Sequence, residues 1–153
     1  MPGLNSILSL ISTFNTVEKN LNDGVYVRKS LEDHKAQVIK ANVDQLYEYG
    51  VNRLGVRIDS YAPYAPYTVF LKKQRGQPYD RVTLRDTGAF HKSFEIVFEP
   101  AEFYITASDP KTQELVDKYG ANIFGLTREN INEIAHLYVE PDTLNQMRKE
   151  IFK

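Results

Sequence analysis

The chain of 153 residues contains no cysteine. That excludes a disulfide framework and any thiolate-ligated zinc site, and makes a reducing, cytoplasmic origin the default expectation. A surplus of charge of one sign is also missing, because 19 basic residues face 20 acidic ones for a formal net charge of -1. The overall basic balance of a nucleic-acid binder is absent, so any electrostatic argument has to be local. Long hydrophobic runs are absent too. The most apolar stretch, Leu4, Ile7, Leu8, Leu10, Ile11 and Phe14, is interrupted by Asn5, Ser6, Ser9, Ser12 and Thr13, and the first lysine is Lys19. It reads neither as a secretory leader nor as the roughly 20 apolar residues that cross a membrane. The glycines form neither a dinucleotide fingerprint nor a nucleoside-triphosphate loop, which leaves a nucleotide enzyme unsupported.

What remains is the composition of a folded domain, with 42% hydrophobic and 25% charged residues, far from the profile of disorder. The expected class is α+β, with helices packed on a small antiparallel sheet in a single domain over residues 1–153. Spacing at 4, 7, 8, 11 and 14 predicts an amphipathic helix over 1–20 that docks on the core or on another subunit. Asn22-Asp23-Gly24 predicts a turn, and a long helix is expected over 30–55 with Ser30 as N-cap and Asp33 three residues on. Gly50 weakens its last turn.

Residues 56–110 are expected to hold loops and one β-hairpin. Two prolines deny a helix to Tyr61-Ala62-Pro63-Tyr64-Ala65-Pro66-Tyr67, and Lys72 to Pro78 reads as a solvated loop. Alternation of Phe94, Ile96 and Phe98 and then of Phe103, Ile105 and Ala107 predicts two strands joined at Pro100-Ala101. Over 111–153 the pattern predicts C-terminal helices: Thr112 to Tyr119 closed by Gly120, one capped by Thr127 and stopped by Pro141, and a last short one.

Candidate chemistry is thin. His34, His91 and His136 lie in different elements without a metal-ligand pattern, and Asp86, His91 and Ser93 carry only the letters of a nucleophilic triad. The expectation is a non-enzyme with no catalytic, cofactor-binding or metal-binding residues. Tyr61, Tyr64, Tyr67 and Tyr79 near basic residues could stack nucleobases, but tyrosines beside prolines more commonly pack a loop. Charge is segregated: from Lys72 to Lys92 six basic residues face only Asp80 and Asp86, so that segment carries +4 and the remainder -5. Lys72, Lys73, Arg75, Arg81 and Arg85 are therefore the expected partner-facing residues, set against an acidic surface of the next subunit or against DNA. Thr87-Gly88 is expected to form a tight turn with Gly88 at positive φ.

The order of two motifs adds a resemblance. Thr68 and Lys72, followed by Thr83-Leu84-Arg85-Asp86-Thr87-Gly88-Ala89-Phe90-His91-Lys92-Ser93-Phe94, and then Tyr119-Gly120-Ala121-Asn122-Ile123-Phe124-Gly125-Leu126-Thr127 with the helix after it, resemble the tail-completion proteins of tailed phages, the Mu-like virion-morphogenesis family. Phe124, Gly125 and Leu126 carry the second motif. The resemblance covers roughly residues 60–150. It implies a structural virion protein of the neck or tail end, made in the bacterial host cytoplasm, that completes the tail or joins it to the head. It also implies a ring of identical copies contacting portal, connector or tail-tube proteins, with non-specific contact to packaged DNA allowed, no membrane and no cofactor. The alternatives are another connector or tail-terminator ring protein, or a nucleic-acid-binding module.

Overall fold

A computed structural model describes residues 2–100 and 102–153. The chain is α+β, 63% helical, with one two-stranded antiparallel sheet among the described residues. It divides into two compact units, Met1–Lys35 with Asn132–Lys153, and Ala36–Ile131.

In the first unit, α1 (Pro2–Asn22) is followed by a turn at Asp23-Gly24 and by α2 (Val25–Asp33). The long helix expected over 30–55 is not one helix. It begins at Val25, breaks at His34 and resumes as α3 (Lys35–Tyr49). Ser30 does not cap it: the residue is buried inside α2, and its hydroxyl donates to Asp142 Oδ2 at 2.7 Å. His34, at the break, reaches the same carboxylate at 3.0 Å and stacks on Tyr138 with ring centroids 4.4 Å apart. Tyr26 is buried and its hydroxyl donates to Glu150 at 2.8 Å. Val17, Leu31 and Ile134 complete the apolar interior of this unit. Pro141 does not stop the C-terminal helix. α7 (Arg128–Ile134) passes through a π-helical turn, Ala135–Val139, into α8 (Glu140–Ile151) without a break, and the π turn lies directly before the proline, whose ring and missing N–H disfavour a regular α-helical ladder there.

In the second unit, α3 ends at Gly50, whose φ of +62° suits a residue without a Cβ. Residues 51–57 therefore leave the helix and form a turn closed by a bridge between Val51 and Arg57. The segment after Pro63 is not all loop. Pro66 opens α4 (Pro66–Gln74), because proline at the first helical position has the right φ and lacks only an N–H that would be unpaired anyway. Lys72 and Lys73 thus lie in a helix, and Lys72 is only 7% exposed. A short helix α5 (Ala89–Lys92) leads into β1 (Phe94–Phe98), which pairs with β2 (Phe103–Ala107) in the register Phe94 to Ala107, Ile96 to Ile105 and Phe98 to Phe103. Pro100 lies in the connection, and Ala101, the other half of the expected turn, lies outside the described residues. The face shared by Phe94, Ile105 and Ala107 is buried, whereas Phe103 at the far end is exposed. α6 (Thr112–Tyr119) ends at Gly120.

Candidate interaction surfaces

α1 carries the largest apolar display of its unit. Every residue from Gly3 to Ser12 is exposed, and Leu4, Ile7, Leu8, Leu10, Ile11 and Phe14 are each 45–56% accessible. No charged side chain occurs before Glu18. The polar residues of the same turns include Thr13 and Thr16, whose hydroxyls turn back onto the Ser9 and Ser12 carbonyls at 3.0 Å. Their polarity is thereby spent inside the helix. Of the two expected docking places, the core of this chain does not cover the first three turns of the helix; among the described residues Val17 is its one buried apolar side chain.

In the other unit the resemblance motifs meet one another. Phe124 packs against Phe94 at 5.2 Å and Phe90 at 6.1 Å between ring centroids. Gly125 has φ +110° and donates its N–H to Asn42 Oδ1 at 2.9 Å, while Asn42 Nδ2 donates to the Ile123 carbonyl at 3.0 Å. One turn along α3, Gln45 Oε1 accepts from Thr127 N–H at 2.8 Å and from Asn130 Nδ2 at 3.0 Å, and Gln45 Nε2 donates to the Gly125 carbonyl at 3.2 Å. Two buried amides thus bracket Phe124-Gly125-Leu126 and the start of α7, where Thr127 Oγ1 accepts from Asn130 N–H as a cap. Asn42 and Gln45 were not among the expected site residues. Their signal was two amides three residues apart within an apolar stripe, where burial demands complete hydrogen bonding.

At the first motif Gly88 has φ +90°, and Thr87 Oγ1 accepts from Ala89 N–H at 3.3 Å. The basic residues beside it are mostly committed to this unit. Lys72 Nζ donates to the Arg85 carbonyl at 2.8 Å and lies over the Tyr64 ring. Arg81, 19% exposed at its side chain, donates to the Tyr47 carbonyl at 2.7 Å and pairs with Asp80. Arg85 covers the Tyr47 ring, and Arg75 pairs with Asp86 at 3.1 Å. Lys73 is exposed and lies over Tyr79. The expected partner-facing set therefore needs correcting at Lys72 and Arg81, whose donors are turned inward to satisfy backbone carbonyls.

Asp86, His91 and Ser93 do not assemble by hydrogen bonding: Asp86 pairs with Arg75, and Ser93 Oγ donates to the Phe90 carbonyl. His91 Nε2 is buried without a partner among the described residues. Burial holds this imidazole down to a pKa of about 4, against a smaller opposing effect from its hydrogen bond to the Thr83 backbone. The Tyr61 hydroxyl donates to the Tyr119 carbonyl, and that of Tyr64 accepts from Thr83 N–H, which ties both rings into the fold. Of the four candidate stacking tyrosines, Tyr67 and Tyr79 retain exposed rings free of such a tether, together with Phe70. No group of three or more potential metal ligands occurs among the described residues, and no described helix is long and apolar enough to cross a membrane. Comparison with known protein families, with curated proteins and with solved structures finds no match to this chain.

Proposed function

We propose that this protein is a structural component of a tailed-phage particle, acting at the neck or tail end, and that it assembles with copies of itself through α1. The observation that carries the assembly reading is the uncovered first half of that helix. A run rich in Asn, Ser and Thr, without a charged side chain and with its large apolar side chains half exposed, is a poor helix in water, where isolated helices below about 12–15 residues are marginal. Cover by another molecule supplies what the segment itself lacks. Six half-exposed large side chains amount to roughly 500 Å² of apolar surface, a substantial part of the roughly 800 Å² per partner in an interface of standard size. A membrane surface fits less well, because the polar side of the helix carries serine, threonine and asparagine instead of the lysines and arginines that bind anionic lipid. The phage assignment rests on the motif order around Gly88 and Gly125, and the neighbours it implies are portal, connector or tail-tube proteins.

Mass spectrometry of purified particles tests the assignment. The chain should be present at a fixed, low copy number, and its absence from intact virions refutes the reading. Sedimentation of the isolated protein tests the assembly surface separately: Ile7→Asp with Ile11→Asp should abolish self-association while leaving residues 36–131 folded.

A further inference from the structure

A cavity of about 340 Å³ lies within the 36–131 unit, walled by α4, the strained segment around Leu84 and α6. Its size is at the lower end of small-ligand pockets, which span about 300–1,000 Å³. We propose that it binds a carboxylate carried on an apolar body, with Lys72 as the charge partner. This proposal is independent of the assembly reading.

The charge count leads to it. Lys72, Arg75, Arg85 and Lys111 face the cavity with two carboxylates, Asp86 and Asp109, a surplus of two positive charges. Asp86 is engaged by Arg75, and Asp109 Oδ1 accepts the Lys111 backbone N–H at 2.8 Å. Neither forms an ion pair with Lys72. Lys72 is a buried residue, and its ammonium has three donors; among the described residues it makes one hydrogen bond, to the Arg85 carbonyl, and one contact with the Tyr64 ring. A buried cation is costly unless an anion or a full set of acceptors meets it. Two of its N–H bonds remain for an incoming oxygen pair.

The walls set the rest of the ligand. Leu71, Phe90 and Leu115 give an apolar lining, which suits a hydrocarbon or aromatic body better than a sugar or a polyphosphate. Lys72 is the one buried lysine of the lining, Lys111 being exposed, so the interior matches a single negative charge, and Arg85, the fork that would grip a phosphate, is stacked on Tyr47. Leu84 supports the idea of a built site. It is the one described non-glycine residue at positive φ, +55°, and is buried in the cavity wall. Such backbone is strained and persists where its surroundings hold it. Here the Tyr64 hydroxyl accepts Thr83 N–H at 3.0 Å, Thr83 Oγ1 accepts Arg85 N–H at 3.3 Å, and the resulting bend presents the Arg85 carbonyl to Lys72.

The carboxylate can come from a free organic acid or from the acid group of a protein segment. Amide NMR of the full chain titrated with 3-phenylpropionate, its neutral amide, inorganic phosphate, and a leucine-ending tetrapeptide with free or amidated C-terminus separates these sources. The acids should perturb Leu84 to Ala89 and bind at least about tenfold more tightly than their amides and than phosphate. Lys72→Met should weaken the acid by about tenfold or more, and Leu115→Trp, which fills the cavity, should abolish binding. Lys73→Gln should bind like the parent. If Lys72→Met does not fold, the acid-to-amide ratio and Leu115→Trp still decide. A peptide acid tighter than the small acid identifies a protein segment as the source, and the reverse order identifies a free acid. Equal binding of acid and amide, tighter phosphate, unchanged binding in the variants, or no perturbation by any probe at about 10 mM overturns the proposal.

Discussion

Acidification should remove stability from the 36–131 unit through one side chain, His91. The residue is buried, its ring set against Phe90 and Phe94 at 6.0 and 5.9 Å, and its Nε2 has no partner among the described residues. Burial lowers its pKa from 6.5 to about 4, and the nearby Arg85 charge acts in the same direction. Because the folded value is depressed, the unfolded chain takes up a proton below pH 6.5 that the folded chain refuses until about pH 4. The stabilisation from keeping His91 neutral is therefore complete above pH 6.5 and is lost as pH falls toward 4. At about 1.4 kcal/mol per pH unit the full loss is about 3 kcal/mol, with about 2 kcal/mol gone by pH 5. Against a typical total of about 5–15 kcal/mol this is readily measured. Urea unfolding at pH 7.5 and 5.0, read from amide resonances of residues in this unit, should give that difference for the parent. His91→Phe keeps an aromatic ring of similar size and removes the titrating group, so its pH dependence should be smaller by about 2 kcal/mol. An imidazole that titrates near 6.5 in the folded protein, or a His91→Phe variant with the parent's pH slope, refutes the reasoning.

Two further substitutions probe the segment bracketed by α3. Gly125→Ala places a Cβ 3.0 Å from Arg53 Cδ at a φ of +110°, so it should destabilise by about 1–3 kcal/mol even if the arginine moves aside; an unchanged melting temperature would contradict the backbone assignment. Asn42→Ala leaves the Gly125 N–H and the Ile123 carbonyl without their side-chain partner and should cost about 2 kcal/mol, with faster amide exchange at Gly125 as the local signature.

The hairpin was legible because alternation of Phe94, Ile96 and Phe98 is a signal of period two that no helix reproduces, and the end of α6 because Gly120 closes it. The break at His34 was not, since nothing in the residues around it disfavours a helix. The break coincides with bonds to Asp142 and Tyr138, more than 100 positions away in sequence. Pro66 and Pro141 are stop signals in sequence that the fold accommodates in different ways: Pro66 takes the first position of α4, where its N–H would be unpaired anyway, and Pro141 follows the π-helical turn Ala135–Val139 within a continuous run of helix. Asn42 and Gln45 escaped because amides on a helix are ordinarily solvent-facing, and only tertiary structure reveals which backbone groups they serve.

The basic run from Lys72 to Lys92 shows how far a charge count can be carried. A surplus of +4 in sequence suggests a cationic face, yet Lys72 and Arg81 donate to the Arg85 and Tyr47 carbonyls and Arg85 lies on the Tyr47 ring. Three cations thus hold residues 81–87 against α3 and α4, leaving Lys73 and the Arg75–Asp86 pair as what this run presents around α4. Exposed charges of that kind contribute about 0–1 kcal/mol each and are screened by salt, whereas apolar association is not. If copies of this chain associate through α1, raising the salt from about 50 to 500 mM should leave the association constant unchanged or higher, although the Debye length falls to a few ångströms. Lys73→Glu with Arg75→Glu should then leave self-association intact, and Ile7→Asp with Ile11→Asp should remove it. A steep loss of association with salt, or loss on changing Lys73 and Arg75 alone, would place the contact on the basic segment instead of on the helix.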